Sequence, residues 1–319
     1  MVYEMKPLFE ERMRKLLGNE KDFRAFEKIV HIGPRNFIRC NTLKITPERL
    51  LRKLSERWYV EQPFKNFPEI MLVKSDLGPG ELGNAVEHLF GYFYVQEVSS
   101  MMSIIALNPN PEEFILDLCA SPGSKTTQMA ARMKNTGTII ANDRDLNRVK
   151  ILAANLERAG VSNTVITRND GVQLCQKLAK KGWKFDKILL DVPCSGEGTL
   201  RSSPKTFLMW NYKVVGKLAR EQKKLFASAV KCLKVGGEIV YSTCTHSPEE
   251  NEEVIDFALR NFPVEIECAS LPLKCRAGVS SWNGKKLDKS VEKACRIYPQ
   301  DNDSEGFFVA KLKLKEEVE

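Results

Sequence analysis

The chain has 319 residues, 43% of them apolar and 28% charged, which is the composition of a folded globular protein rather than a disordered or fibrous one. It has no apolar run long enough to span a bilayer, and its first residues lack the charged head and apolar core of a signal peptide. We therefore expect a cytoplasmic protein without a membrane segment. The net charge is +8, and residues 1–75 hold 16 Lys or Arg against 10 Asp or Glu. This basic first quarter favours a nucleic-acid partner, although a solvated basic face is equally compatible with the charge alone.

The nine cysteines are spread singly from Cys40 to Cys295 without any Cys-x-x-Cys pair, and the chain has only three histidines. This spacing argues against a structural zinc site and against a secreted disulfide framework. We expect most of these thiols to be buried in the core, and we expect no metal.

Residues 1–78 are predicted to form a small, basic α+β unit. Apolar residues at helical spacing predict two short helices over 4–30. Strands are predicted at 35–41, 58–60 and 70–73. Thr46 followed by Pro47 opens a further helix, with a capping hydroxyl and a proline at the first helical position. Its basic residues could contact phosphate or form a solvated face: Arg49, Arg52, Lys53 and Arg57.

A Gly-Pro turn at 77–80 marks a predicted boundary, and residues 79–110 are predicted to be a helical connector. From 111 to 319 strands and helices alternate, which is typical of a parallel sheet with helices on both faces. The predicted strands are 114–118, 138–142, 163–167, 185–190 and 238–242, with a last strand at 305–312. The predicted helices are 125–133, 145–158, 171–180, 214–231 and 248–261, the last opened by a capping box at Ser247.

Two thiols follow neighbouring strands of this predicted sheet. Asp191 and Cys194 follow the strand at 185–190, and Cys244 follows the strand at 238–242. Open α/β sheets bind their ligands at the carboxyl ends of the strands. A carboxyl group and a thiol three residues apart suit chemistry that needs an acid and a sulfur on one substrate.

The loop after the first strand of this unit indicates a nucleotide-like cofactor. It bears Gly123 but fits neither a Walker loop nor a dinucleotide-binding loop. Asp143 follows 20 residues after Gly123, where a carboxylate grips a ribose diol, and Asp170 is placed to accept from an exocyclic amine. Either aspartate could equally be a helix N-cap. Three strand-end carboxylates beside a loop without phosphate-binding glycines favour an adenosine without a pyrophosphate, as in S-adenosylmethionine.

Three motifs now support a family resemblance. Asp-Leu-Cys-Ala-Ser-Pro-Gly-Ser-Lys-Thr from Asp117, Asp-Val-Pro-Cys-Ser-Gly-Glu-Gly-Thr from Asp191 and Tyr-Ser-Thr-Cys-Thr from Tyr241 resemble those of the Sun-type (NSUN) RNA cytosine-5 methyltransferases. The resemblance covers residues 35–313. It implies a class I, Rossmann-like S-adenosylmethionine-dependent methyltransferase sheet with a small N-terminal α+β RNA-recognition-like unit. The sequence departs from the family pattern before Asp170, which weakens the adenine assignment of that residue.

The chemistry of cytosine C5 methylation needs a thiolate that adds to C6 and so makes C5 nucleophilic. Chemistry alone leaves open which thiol attacks, because DNA cytosine-5 enzymes use the cysteine of a Pro-Cys motif. The resemblance implies that Cys244 attacks and that Cys194 assists proton removal and product release. Lys125 would be the cation that favours the thiolate. A protonated or proton-sharing Asp191, with a raised pKa in a dry site, would meet the charge that develops on the ring.

The expected cofactor is S-adenosylmethionine and the expected partner is RNA, with tRNA preferred. The predicted cofactor contacts are Cys119, Ala120, Ser121, Pro122, Gly123, Ser124, Lys125, Asp143, Arg148, Asp170 and Asp191. The tRNA preference follows from a compact build that resembles the archaeal tRNA members and lacks the added N-terminal helical domain of the bacterial ribosomal enzymes. We expect a monomer.

Three alternatives compete with this interpretation. Amino-group methylation is rejected, because Val192 and Cys194 replace two positions of the Asp/Asn-Pro-Pro-aromatic motif of those enzymes. The same chemistry on ribosomal RNA stays open. A non-catalytic RNA-binding protein with a methyltransferase fold is disfavoured by the full set of reactive side chains. The aromatic stacking signature of the usual RNA-recognition module is absent from residues 35–75.

Overall fold

The computed structural model describes residues 4–318, which form two main β-sheets with helices packed against them. The N-terminal segment contains the elements α1 (Pro7–Leu17), α2 (Glu20–Ile29), β1 (Asn36–Cys40), α3 (Pro47–Leu54), β2 (Val60–Glu61), β3 (Ile70–Val73), α4 (Glu81–Asn84), α5 (Val86–Leu89), β4 (Phe93–Val95) and α6 (Val98–Leu107). The first four strands form an antiparallel sheet in the order β2-β3-β1-β4. The predicted cap of α3 is confirmed, because the Thr46 hydroxyl accepts from the Arg49 N–H and Pro47 occupies the first turn.

Residues 79–110, predicted as a helical connector, contribute a strand to the N-terminal sheet and a helix that packs against the larger sheet. Strand β4 completes the N-terminal sheet by pairing with β1. Helix α6 is buried at every position except Ser100, and it packs against the larger sheet that follows in the chain. A helix that is apolar on all sides is stable only in the core. The division of the chain at 78 and 110 stays a prediction.

The larger sheet contains nine strands: β5 (Phe114–Asp117), β6 (Thr138–Asp143), β7 (Thr164–Arg168), β8 (Phe185–Asp191), β9 (Leu233–Thr243), β10 (Val264–Glu267), β11 (Arg276–Ala277), β14 (Cys295–Ile297) and β15 (Phe307–Leu314). Its order is β11-β14-β15-β9-β8-β5-β6-β7, and β10 pairs with β15. The five strands from β9 to β7 are parallel, and the others are antiparallel. Strands β12 (Ser281–Trp282) and β13 (Lys285–Lys286) form a separate hairpin. The predicted parallel sheet is therefore confirmed.

Helices cover both faces of the parallel strands, as predicted. The remaining helices are α7 (Ser124–Arg132), α8 (Leu146–Ala159), α9 (Gly171–Lys180), α10 (Lys205–Met209), α11 (Tyr212–Ala229), α12 (Glu252–Asn261) and α13 (Pro299–Asn302). One apolar core packs α9, α11 and α12 against the sheet, and a second packs α6 and α7 against its other face. The fold is a class I, Rossmann-like α/β fold with an added N-terminal α+β unit. Among residues 4–318, no helix combines the length and the apolar character that a membrane crossing requires.

One predicted helix start in the larger unit is wrong, and one disulfide was not predicted. The helix expected from Pro248 begins at Glu252, because the capping-box carboxylate of Glu250 accepts from the backbone of Ser195 and not from the turn at Ser247. Cys275 and Cys295 form a disulfide with a Cα separation of 5.1 Å. The pairing of β11 with β14 brings these two cysteines together, which a separation of 20 residues in sequence does not reveal.

The seven free cysteines are less buried than predicted. Cys40, Cys175 and Cys232 are buried, whereas Cys268 is exposed. The other three are partly exposed, and all of them follow strands of the larger sheet: Cys119, Cys194 and Cys244.

Candidate active site

The register of β8 and β9 brings the two predicted reactive thiols together. Asp191 pairs with Ser242 across these parallel strands, and Cys194 and Cys244 follow in the two adjoining loops. The two Sγ atoms lie 3.2 Å apart, within the range of a sulfur hydrogen bond. One proton can therefore be shared by the two sulfurs.

Lys125 and Asp191 form an ion pair at the same edge of the sheet. The Lys125 Nζ lies 2.8 Å from Asp191 Oδ2 and donates to Ser100 Oγ at 2.9 Å. Asp191 also accepts a hydrogen bond from Ser242 Oγ at 2.7 Å. Lys125 lies in the first turn of α7, and its ammonium is 5.3 Å from the centre of the Phe307 ring. The predicted role of Asp191 needs a protonated or proton-sharing carboxyl in a dry site, and the structure gives this carboxyl group a cationic partner.

The pKa of the Cys194 thiol is raised well above its usual value. The largest cause is the hydrogen bond with Cys244, followed by burial and by the negative charge of Glu250. In the resting protein Cys194 therefore keeps its proton. A protonated Cys194 is compatible with the resemblance, which implies Cys244 as the nucleophile.

Beside the thiols, a cleft of about 440 Å³ opens at the carboxyl ends of β5, β6 and β7. Four of the predicted cofactor contacts line it: Cys119, Asp143, Arg148 and Asp170. It is also lined by Pro193 of the Asp-Val-Pro-Cys motif and by residues that the sequence motifs do not indicate, including Asn142, Asn169, Gln173, Glu221 and Gln222. The apolar side chains of Leu118, Val172 and Leu225 complete the wall. Carboxylate and amide groups beside apolar side chains suit a planar base joined to a sugar.

Asp143 is the carboxylate most firmly fixed in this cleft. It is 4% exposed, it accepts from the Asp145 N–H at 3.0 Å, and its Oδ2 lies 3.4 Å from Arg148. Asp170 caps α9 by accepting from the Gln173 N–H at 3.1 Å. The N-cap alternative for Asp170 is therefore correct, while its position on the cleft wall leaves a second acceptor oxygen for a ligand.

The loop from Ala120 to Ser124 is not among the residues that line this cleft. Its contacts hold the loop against α8: Ser121 Oγ donates to the Arg148 carbonyl, and Asn155 donates to the Pro122 carbonyl, both at 2.8 Å. Gly123 has a φ of +100°, and a Cβ there would lie 2.9 Å from Leu152 Cδ1. Position 123 therefore requires glycine because of its backbone conformation and its packing on α8, rather than because of a cofactor. Lys125 and Asp191, also predicted as cofactor contacts, do not line the cleft either, and they form the ion pair described above.

One further residue of the site could have been found from the sequence. The buried stripe of α11 runs through Val215, Ala219, Gln222 and Phe226, so Gln222 is a polar residue at a core position. Such a side chain has to find buried partners. Ser100 has no comparable signal, because it lies 25 residues before Lys125 and on another helix.

The fold and the site together define a class I methyltransferase with a pair of thiols at adjacent strand ends. Residues 104–313 match the family model described as 16S rRNA methyltransferase RsmB/F, and residues 5–98 match the model for the N-terminal domain of 16S rRNA methyltransferase RsmF. The chain therefore belongs to the RsmB/F family of S-adenosylmethionine-dependent RNA cytosine-5 methyltransferases, as the motif resemblance predicted.

Individual relatives differ in the RNA named in their descriptions. The chain is 43% identical to the tRNA (cytosine(49)-C(5))-methyltransferase of Pyrococcus abyssi, over 95% of this chain and 94% of that protein. It is 38% identical to the ribosomal RNA small subunit methyltransferase F of Vibrio atlanticus, over 96% of this chain but only 63% of that protein. The crystal structure of NSun6 from Pyrococcus horikoshii with SFG superposes with a TM-score of 0.85 at 25% identity, covering 99% of this chain and 100% of the other.

Proposed function

We propose that the protein transfers a methyl group from S-adenosylmethionine to C5 of cytosine in tRNA, through a covalent adduct between Cys244 and C6 of the base. The observation that carries the proposal is the 3.2 Å separation of the Cys194 and Cys244 sulfurs beside the Lys125–Asp191 pair. Two thiols in contact let one sulfur attack while the other handles a proton.

The cleft beside the thiols fits the cofactor. The Asp143 carboxylate would accept from a ribose diol, and Asp170 and Asn169 would lie at the edge of the base. The apolar surfaces of Leu118 and Leu225 would cover the faces of an adenine. When bound, S-adenosylmethionine supplies an electrophilic methyl group. The match to a structure that contains SFG, an analogue of S-adenosylmethionine, supports this assignment.

The two cysteines take different roles in this reaction. The Cys244 thiolate adds to C6, and the resulting electron density on the ring is met by the Lys125 ammonium, which Asp191 holds in place through their ion pair. Once the Cys244 sulfur is bonded to carbon, the hydrogen bond that most raises the pKa of Cys194 is lost. Cys194 then ionises more readily and can accept the C5 proton, which releases the product.

The preference for tRNA rests on the relative from Pyrococcus abyssi, which this chain matches over nearly the full length of both proteins. The ribosomal relative extends well beyond the region shared with this chain, which spans less than two thirds of it. Ribosomal RNA stays the second candidate, because both family models are described as those of 16S rRNA methyltransferases.

The substrate can be tested with purified protein, S-adenosylmethionine and two transcripts, one a tRNA and the other a 16S rRNA fragment. Bisulfite sequencing should report 5-methylcytosine in the tRNA, and changing C49 to U should remove the signal if the target is that of the Pyrococcus abyssi relative. Methylation of the ribosomal fragment alone would reverse the substrate assignment. Methylation of neither, with RNA still bound, would favour a non-catalytic RNA-binding protein.

A further inference from the structure

A buried carboxylate, that of Glu250, contacts the loops that carry the two thiols and has no part in the proposed chemistry. Glu250 is fully buried, with 0% of its surface exposed, and none of the ion pairs within residues 4–318 includes it. Its backbone carbonyl accepts from the Tyr241 hydroxyl at 2.5 Å, which fixes this segment against β9. A buried carboxylate without a cationic partner is costly, so its hydrogen bonds require an explanation.

The side chain of Glu250 contacts the residue after each thiol. Its Oε2 accepts from the Ser195 N–H at 3.0 Å, directly after Cys194. Its Oε1 lies 3.5 Å from Thr245 Oγ1, directly after Cys244. The hydroxyls of Ser195 and Thr245 are themselves 2.8 Å apart, so the two loops are joined at this point.

Gln222 extends this network to the residue before Cys194. Its Nε2 donates to Glu250 Oε2 and to the Pro193 carbonyl, at 2.9 Å in each case. The backbone on both sides of Cys194 is therefore held through one carboxylate and one amide. Gln222 also lines the cofactor cleft, so this arrangement spans the distance between the cleft and the thiols.

We propose that Glu250 is a positioning residue for the Cys194 thiol, which it holds through Ser195 and Gln222 at the place where the C5 proton must be collected. The inference rests on the proposed function. In the release step the C5–H bond breaks, and its electron pair forms the C5–C6 double bond. The C6–S bond breaks at the same time and returns its electron pair to the Cys244 sulfur, and the proton passes to the Cys194 thiolate. Only this step needs Cys194 in place, because the attack on C6 is made by Cys244.

Glu250 also acts on Cys194 through its charge. Its negative charge contributes to the raised pKa of Cys194, after the hydrogen bond with Cys244 and burial. Burial raises the pKa of Glu250 itself to about 7. The charge of Glu197 also raises this pKa, whereas the hydrogen bonds from Ser195 and Gln222 lower it.

The test separates formation of the covalent RNA adduct from its breakdown, with S-adenosylmethionine and tRNA transcript as the probes. Glu250→Ala should accumulate the adduct, as Cys194→Ala should, with release slowed by roughly 10- to 100-fold, the penalty for a reacting group displaced by about 1 Å. The rate of adduct formation should change little. Glu250→Gln, which keeps an acceptor for the Ser195 N–H, should restore part of the release rate.

Glu249→Gln is the matched control, because that carboxylate lies one residue earlier and binds Arg12 at 2.7 Å and Trp282 at 3.0 Å instead of the thiol loops. It should release product at the wild-type rate. If Glu250→Ala does not fold, Gln222→Met loosens Pro193 from the other side and should also accumulate adduct.

Equal losses of formation and release in the Glu250 variants, or no loss in either, would overturn the positioning role. Accumulation in Cys194→Ala without accumulation in Glu250→Ala would overturn it as well, while leaving the proposed function standing. Failure of both wild type and Cys194→Ala to form any adduct would instead overturn the proposed function.

Discussion

The thiol centre, formed by Cys194, Cys244 and Glu250, differs in construction from the cofactor cleft around Asp143. In the thiol centre the two sulfurs contact each other, and the Glu250 carboxylate contacts the residue that follows each of them. In the cleft, Asp143 and Asp170 are tied to nearby backbone N–H groups, and the remaining space of about 440 Å³ is open. The thiol centre is preorganised for a covalent step, whereas the cleft needs a ligand to complete it. Substitutions of residues that belong to one region alone should therefore leave the function of the other intact.

The largest effect should come from removing the nucleophile. Cys244→Ala should lower methyl transfer by roughly 10⁴- to 10⁶-fold, a loss typical of deleting a covalent catalyst. Titration calorimetry with S-adenosylmethionine should give an unchanged Kd, because the side chain of Cys244 is not among those that line the cleft. A weakened Kd would show that the two regions are coupled in the resting protein.

Replacing Asp143 in the cleft should have a smaller effect on turnover than replacing Cys244. Asp143→Ala should weaken S-adenosylmethionine binding by roughly 10- to 100-fold, because a hydrogen bond to a charged group contributes about 1.5–3 kcal/mol. Stopped-flow or calorimetric binding would measure the change, and saturating cofactor should restore most of the rate. Loss of the RNA adduct at saturating cofactor would contradict a separate cleft.

The basic surface of α3 should affect RNA binding without changing either region. If Arg49, Arg52 and Lys53 bind phosphate groups, their joint replacement by Ala should raise the KM for tRNA and leave kcat unchanged. The slope of log K against log salt should flatten by about 0.7–0.9 for each phosphate that is no longer neutralised. Arg24→Ala is the control, since Arg24 pairs with Glu20 and Glu27 on α2. An unchanged slope would leave these residues as solvated surface.

The last prediction concerns stability rather than activity, at acid pH and at a residue close in sequence to Cys244. Burial lowers the pKa of His246 to about 3, so the folded protein keeps this ring neutral where the unfolded chain would protonate it. Between about pH 6.5 and pH 3 the unfolded state binds the extra proton, and stability should fall by about 1.4 kcal/mol per pH unit as pH decreases. His246→Phe should remove this part of the slope in urea titrations. An identical slope in the variant would show that the ring does not control it.

The sequence predicted the strand ends well because apolar runs and the following turns are local features. Asp191, Cys194 and Cys244 lie where the pattern placed them, since the carboxyl ends of parallel strands meet at one edge. The partners of these residues depend on packing between distant segments. Ser100 reaches Lys125 from α6, and Gln222 reaches Pro193 from α11. Glu250 fitted a local capping box, but the tertiary contact with Ser195 took precedence over it.

The most direct test of the account is to locate the covalent bond between protein and RNA. Cys194→Ala should be incubated with tRNA and S-adenosylmethionine, digested, and analysed by mass spectrometry for peptides that carry a methylated nucleotide. We expect the nucleotide on the peptide that contains Cys244, and no adduct when Cys244 is also replaced by Ala. A bond at any other cysteine, or an adduct that forms in Cys244→Ala, would contradict the assignment of the nucleophile.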